Sequence, residues 1–145
     1  MPLPSEFTHQ THPNLCAYYA AKHFLYGKLN QKDFEETATK YYIKEVPGIE
    51  KSYAEQLVQD GNDPAIFADV LQGVRGTSTE QLKPDPGKTY SRILLSLRNR
   101  DHFITVLKDD KGRWWNYDSL LDAPQEISNI DQFLKDNPAS QYYVV

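Results

Sequence analysis

Cysteine occurs once in the 145 residues, at Cys16. One thiol cannot close an internal disulfide, so a disulfide-stapled secreted scaffold is excluded. No apolar run approaches the ~20 residues that a bilayer-spanning helix needs. Lysine and arginine are dispersed in a chain of net charge −4, the wrong footprint for nucleic acid. The start, Met1-Pro2-Leu3-Pro4-Ser5-Glu6, has neither the basic nor the apolar part of a signal peptide. Together these absences predict a cytoplasmic protein in a reducing compartment, with no membrane and no nucleic-acid partner. A chain translocated as an effector into the cytosol of a host cell has the same signature.

What is present suffices for one core. An apolar share of 39%, with two Trp, ten Tyr and six Phe, suits a single domain over 1–145. The first half is predicted to be helical over about 14–73. Asn14 is a candidate N-cap for a helix over 15–26 that Gly27 closes in a left-handed conformation. A second helix, 31–44, follows Asn30 and buries Phe34, Ala38, Tyr41 and Tyr42 before Pro47-Gly48 ends it. A third starts at Ser52, where Ser52-x-x-Glu55 has the form of a capping box, and stops at Gly61. Asp63-Pro64 then opens a fourth that buries Ile66, Phe67, Val70 and Leu71.

A Gly-, Pro- and Ser-rich loop over 74–88 separates this part from a sheet part over about 90–145. Strands are predicted over 92–97, 102–107, 113–117 and 142–145. The turn Asp109-Asp110-Lys111-Gly112 makes the middle two a hairpin, and Ser128 is a candidate cap for a short helix over 130–135. Helices first and antiparallel strands afterwards imply an α+β fold.

Chemistry can be placed on this outline. At a helix start Cys16 gains N–H donors and the positive end of the dipole, a setting that favours a thiolate nucleophile. Such a nucleophile needs an imidazole as general acid and base, and a group that orients the imidazole. The second half supplies one histidine, His102, at the start of a strand. Asp118 ends the partner strand, sixteen residues on across the hairpin, and is the candidate orienter; Asn116, two residues earlier, competes with it. Gln10, upstream of Cys16, could share an oxyanion hole with the Cys16 backbone N–H. Trp114 and Tyr117 are candidate walls of a substrate groove.

Each residue alone has an ordinary reading: a buried inert thiol, a strand histidine, a turn aspartate. Their order along one mechanism is what carries weight. His9, His12 and Cys16 also cluster at a spacing that a structural zinc could use, although a fourth ligand is missing.

The segment His102-Phe103-Ile104-Thr105-Val106 is followed by Trp114-Trp115-Asn116-Tyr117-Asp118-Ser119-Leu120-Leu121, and then by Pro124, Ile127-Ser128, Phe133-Leu134 and Tyr143-Val144-Val145. This series resembles the C-terminal half of Josephin domains, papain-like cysteine proteases that cleave ubiquitin conjugates. Gln10 and Leu15-Cys16-Ala17 are similar to the active-site entry of that family, and Gly61-Asn62-Asp63 with Ile66-Phe67 to the segment before its central loop.

The resemblance implies a papain-like fold, with a nucleophile helix in an N-terminal helical lobe packed on an antiparallel sheet. It implies a thiol-dependent deubiquitinase that hydrolyses the isopeptide or peptide bond after the C-terminal glycine of ubiquitin. It also implies ubiquitin or polyubiquitin as partner, no cofactor and no metal. In these roles Cys16 is nucleophile, His102 general acid/base, Asp118 the residue that orients it, and Gln10 part of the oxyanion hole.

Three departures stand out. Asp118 replaces the usual asparagine, Gln10 stands one residue farther from the cysteine than is usual, and the helices over 31–61 match only as a helical arm. The same order of residues also resembles peptidases that process bacteriocins after Gly-Gly, which normally belong to membrane exporters. The alternatives are a papain-fold protein-glutamine deamidase or transglutaminase-like enzyme, and a non-catalytic ubiquitin-binding domain.

Overall fold

The computed structural model describes residues 3–71, 75–77, 91–98 and 102–144. Helices come first: α1 (Cys16–Phe24), α2 (Gln31–Glu45), α3 (Lys51–Asp60), then a 3-10 turn, Pro64–Ile66, that runs into α4 (Phe67–Val70). The sheet follows with β1 (Arg75–Thr77), β2 (Arg92–Leu97), β3 (His102–Lys108), β4 (Trp114–Tyr117), β5 (Gln125–Ile127) and β6 (Ala139–Val144), with α5 (Ile130–Asp136) before the last strand. Spatial order is β1-β6-β2-β3-β4-β5, and every neighbouring pair is antiparallel. The fold is therefore α+β.

Several predicted boundaries are corrected. Asn14 does not cap α1: its N-cap is Leu15, with no side-chain bond, and the Leu15 N–H donates to His12 O at 3.3 Å to shape the turn before the helix. The capping box at Ser52 does not form either, because α3 starts at Lys51 after Glu50. Asn129, not Ser128, caps α5 by accepting from Gln132 N. The last strand begins at Ala139, three residues before the prediction, and β5 was not foreseen. The loop expected over 74–88 lies outside the described residues except at 75–77, which form β1. Asn30 and Asp63 cap as expected, accepting from Asp33 N and Ala65 N.

The sheet's alternation divides the core into two layers. Leu94, Phe103 and Tyr143 pack with α1, Phe34 and Ala38 of α2, and Ile66 and Phe67. Ile93, Leu95, Ile104, Val106, Tyr142 and Val144 pack on the other face, against Leu134 of α5. The Thr105 hydroxyl donates to Ala20 O at 2.7 Å and ties α1 to β3.

At the far end of α1 both Tyr26 (φ 55°) and Gly27 (φ 83°) are left-handed. A tyrosine resists that conformation because of its Cβ. Arg92 supports it: the guanidinium lies 5.0 Å and 4.8 Å from the rings of Phe24 and Tyr26 and donates to Phe24 O at 2.7 Å.

The β3–β4 turn fixes where the second half of the site lands. Asp109 accepts from Lys111 N, Arg113 N, Arg113 Nε and Trp115 Nε1, all within 3.0 Å, and Gly112 takes φ 82°. The resulting register, Lys108 opposite Trp114 and Thr105 opposite Tyr117, returns Asp118 and Ser119 to the end of the sheet where β3 begins. Among the described residues no helix is long and apolar enough to cross a membrane.

Candidate active site

Cys16 is the first residue of α1, half-buried and free. The first-turn N–H groups of a helix lack intrahelical partners, so the thiol stands beside donors and the positive dipole end. His102 and Asp118 are both 7% exposed, and His102 Nε2 meets Asp118 Oδ1 at 2.7 Å. Nε2 is thereby taken, which leaves Nδ1 as the ring's other nitrogen, and Cys16 is the second side chain whose interaction with the ring favours its charged form.

Burial alone would drive the proton off His102. The bonds to Asp118 and Cys16, with the negative charge these groups can carry, outweigh it and raise His102 from 6.5 to about 9. At neutral pH the ring is an imidazolium, so both nitrogens carry protons: Nε2 donates to Asp118, and the Nδ1 proton is the one not used by that bond.

Asp118 is held in turn. Its Oδ1 also accepts from Leu120 N at 3.0 Å, and Leu121 N donates to Asp118 O at 2.9 Å, which closes a tight turn over 118–121. Ser119, inside that turn and 1% exposed, donates through Oγ to Gln10 Oε1 at 2.7 Å and accepts from Gln10 N on its carbonyl at 2.7 Å. The Gln10 amide nitrogen donates to His12 O at 2.8 Å and Pro13 O at 3.0 Å, bracing the turn that delivers Cys16. No protein-family model matches the chain, and no curated protein matches it. The geometry must therefore speak for itself.

It hydrogen-bonds His102 to Asp118, sets Cys16 close enough to favour the charged form of His102, and holds Gln10 against the same 118–121 turn. The other candidates lie elsewhere. Asn116 is paired with Val106 and Gln125 within β4 and lines a small depression with Phe133 and Asp136, so Asp118 is the residue at His102. Tyr117 is a correction: it is fully buried, with its hydroxyl donating to Ser5 O at 2.6 Å, so it walls the core instead of a groove. Trp114 packs against the α5-side core under the Lys108 ammonium, 5.5 Å from its ring.

The zinc grouping is not assembled. His9 Nδ1 bonds Leu121 O, His12 Nδ1 accepts from Asn14 N, and among the described residues no three His, Cys, Asp or Glu side chains are placed to hold a metal. An open groove of about 1180 Å³ lies between α2 and α3, and neither Cys16 nor His102 lines it.

Two residues at this end of the molecule were missed in the sequence. Ser119 was noted only as the neighbour of Asp118. His23, fully buried on α1, accepts from Thr8 N at 3.0 Å and stacks on Phe7 at 5.2 Å, pinning the N-terminal segment that carries Gln10. Its spacing of seven from Cys16 marks the same helix face, the one signal that pointed to it.

Proposed function

We propose that this chain is a papain-like thiol protease of the Josephin type, hydrolysing the bond after the C-terminal glycine of ubiquitin. The observation that carries the reading is the buried 2.7 Å bond between His102 and Asp118 with Cys16, at the start of α1, interacting with the same ring. A nucleophilic helix packed on an antiparallel sheet whose adjacent strands supply base and orienter supports the papain-like architecture. The substrate class rests on the resemblance of the 102–145 segment.

In the reaction, Cys16 sulfur attacks the glycine carbonyl carbon, and the oxyanion is met by the Cys16 backbone N–H and one Gln10 amide proton exchanged from its loop carbonyl. His102 gives its proton to the leaving amine, and a thioester remains. His102, now neutral, takes a proton from water as the water attacks, and Cys16 leaves as the thiolate, which restores the starting imidazolium and thiolate. Asp118 holds the ring and stabilises its cation throughout.

Incubation with ubiquitin bearing a C-terminal electrophile tests this. A covalent adduct on Cys16, lost in Cys16→Ala, is expected. No adduct with the wild type overturns the ubiquitin reading, and an adduct with Cys16→Ala overturns the nucleophile. Ammonia release from a protein glutamine without peptide cleavage would favour the deamidase instead.

A further inference from the structure

The Gln10 amide can lie in its buried site in two senses related by a half-turn, and only one of them aims N–H bonds at the turn leading into Cys16. The carbonyls of His12 and Pro13 accept on one side of it, and so demand nitrogen there. On the other side stands Ser119 Oγ, 2.7 Å from Oε1. A hydroxyl can donate or accept, so its role is set by what else is fixed. Ser119 is itself fixed, because its carbonyl takes Gln10 N at 2.7 Å and its predecessor Asp118 is anchored by His102 and by Leu120 N.

We propose that Ser119 is a positioning residue that holds the Gln10 amide against the turn leading into Cys16, so that Asp118 and Ser119, neighbours in one turn, orient the base and the oxyanion donor together. The two carbonyls fix the sense of the amide, because a swap would set Oε1 against both of them, and the Ser119 hydroxyl, left facing Oε1, donates to it and anchors that end of the side chain. The single turn also makes the two alignments interdependent: a shift of residue 118 moves residue 119 and with it the oxyanion donor. This inference rests on the protease reading for its catalytic consequence, although not for the orientation itself.

The test has two readouts on the full chain. The first is the ¹⁵N side-chain amide pair of Gln10, assigned by its disappearance in Gln10→Ala. In the wild type and in Ser119→Thr, which keeps the hydroxyl, the two amide protons should be well separated and slow to exchange with solvent. In Ser119→Ala the pair should converge and exchange faster. The second is turnover of a ubiquitin C-terminal fluorogenic amide. Ser119→Ala should lower kcat about tenfold at unchanged KM, and should add nothing in the Gln10→Ala background.

An unchanged amide pair in Ser119→Ala overturns the proposal, as does a loss of kcat that is the same size with Gln10 already removed. If Ser119→Thr proves too large for the site, Gln10→Glu supplies the second variant. It keeps an oxygen for Ser119 and loses the N–H donors, so it should match Gln10→Ala in kcat. A Gln10→Glu variant as active as wild type also overturns the proposal. A wild type that turns over nothing overturns the protease reading alone, because the amide resonances still decide whether Ser119 orients Gln10.

Discussion

Two histidines are buried within this end of the molecule, and their proton affinities are shifted in opposite directions. His102 sits where β3 begins, touches a carboxylate and a thiol, and is raised to about 9. His23 sits on α1 in a cluster with the rings of Phe7 and Tyr117, each 5.2 Å away, and burial lowers it to about 4. Burial pushes both the same way. What separates them is contact: Asp118 lies 2.7 Å from His102 Nε2, while His23 Nε2 accepts a peptide N–H and is left with Lys22 and the more distant charge of Asp118 as its electrostatic neighbours. One histidine holds its proton at neutral pH, and the other remains without one.

The largest effect should come from removing the charged member. His102→Ala is expected to lower kcat/KM on a ubiquitin amide by roughly 10³–10⁴-fold with secondary structure unchanged by circular dichroism. His23→Gln, which keeps an acceptor near the Nε2 position, should retain most of the activity. Equal losses in the two variants would erase the distinction between them.

A smaller change isolates the reason for the charge. Asp118→Asn keeps an oxygen for His102 but loses the negative charge, so the His102 midpoint in an NMR titration should fall by about one unit or more from about 9. The alkaline limb of the activity profile should move down with it. A midpoint that stays put would assign the shift to Cys16 alone.

Stability against pH sharpens the contrast further, because the two groups act with opposite sign. His102 binds its proton more tightly folded than unfolded, so its contribution is complete below 6.5 and is lost as pH rises from 6.5 through about 9. His23 binds its proton less tightly folded, so its contribution is complete above 6.5 and is lost as pH falls from 6.5 to about 4. Thermal unfolding should therefore show a maximum near neutral pH. His102→Gln should flatten the alkaline side and His23→Gln the acid side, and an exchange of the two outcomes would refute the assignment.

The same contrast explains how much was legible beforehand. His102 and Asp118 are joined by a hairpin whose turn residues fix the register, so counting across Asp109 to Gly112 was enough to pair them. Asn30 and Asp63 were legible as caps because their bonds reach only two or three residues. Asn14 was not, because the turn before α1 is shaped by Gln10 and His12. Strand β5 was hidden by its brevity and by Gln125 and Glu126, exposed residues of low strand propensity. Ser119 and Gln10 lie 109 residues apart, and nothing in local pattern can announce such a bond. Tyr117 was misplaced for a related reason: a strand aromatic next to the site reads as a wall until the N-terminal segment is seen to cover it.

The smallest effect tests what the neutral histidine does. Thr8 N–H has His23 Nε2 as its partner, and the ring also packs against both Phe7 and Tyr117. His23→Leu keeps apolar volume and removes the acceptor, so a buried N–H is left without a bond, at about 1–2 kcal/mol. His23→Gln should lose less, because its Oε1 can accept from Thr8. Urea midpoints at pH 7.5, above the range in which His23 titrates, measure this difference without any change of charge. If the two variants unfold at the same midpoint, the ring acts by packing alone. If leucine is the weaker by the stated amount, the segment carrying Gln10 is held in place by an acceptor that must stay unprotonated, beside a base that must not.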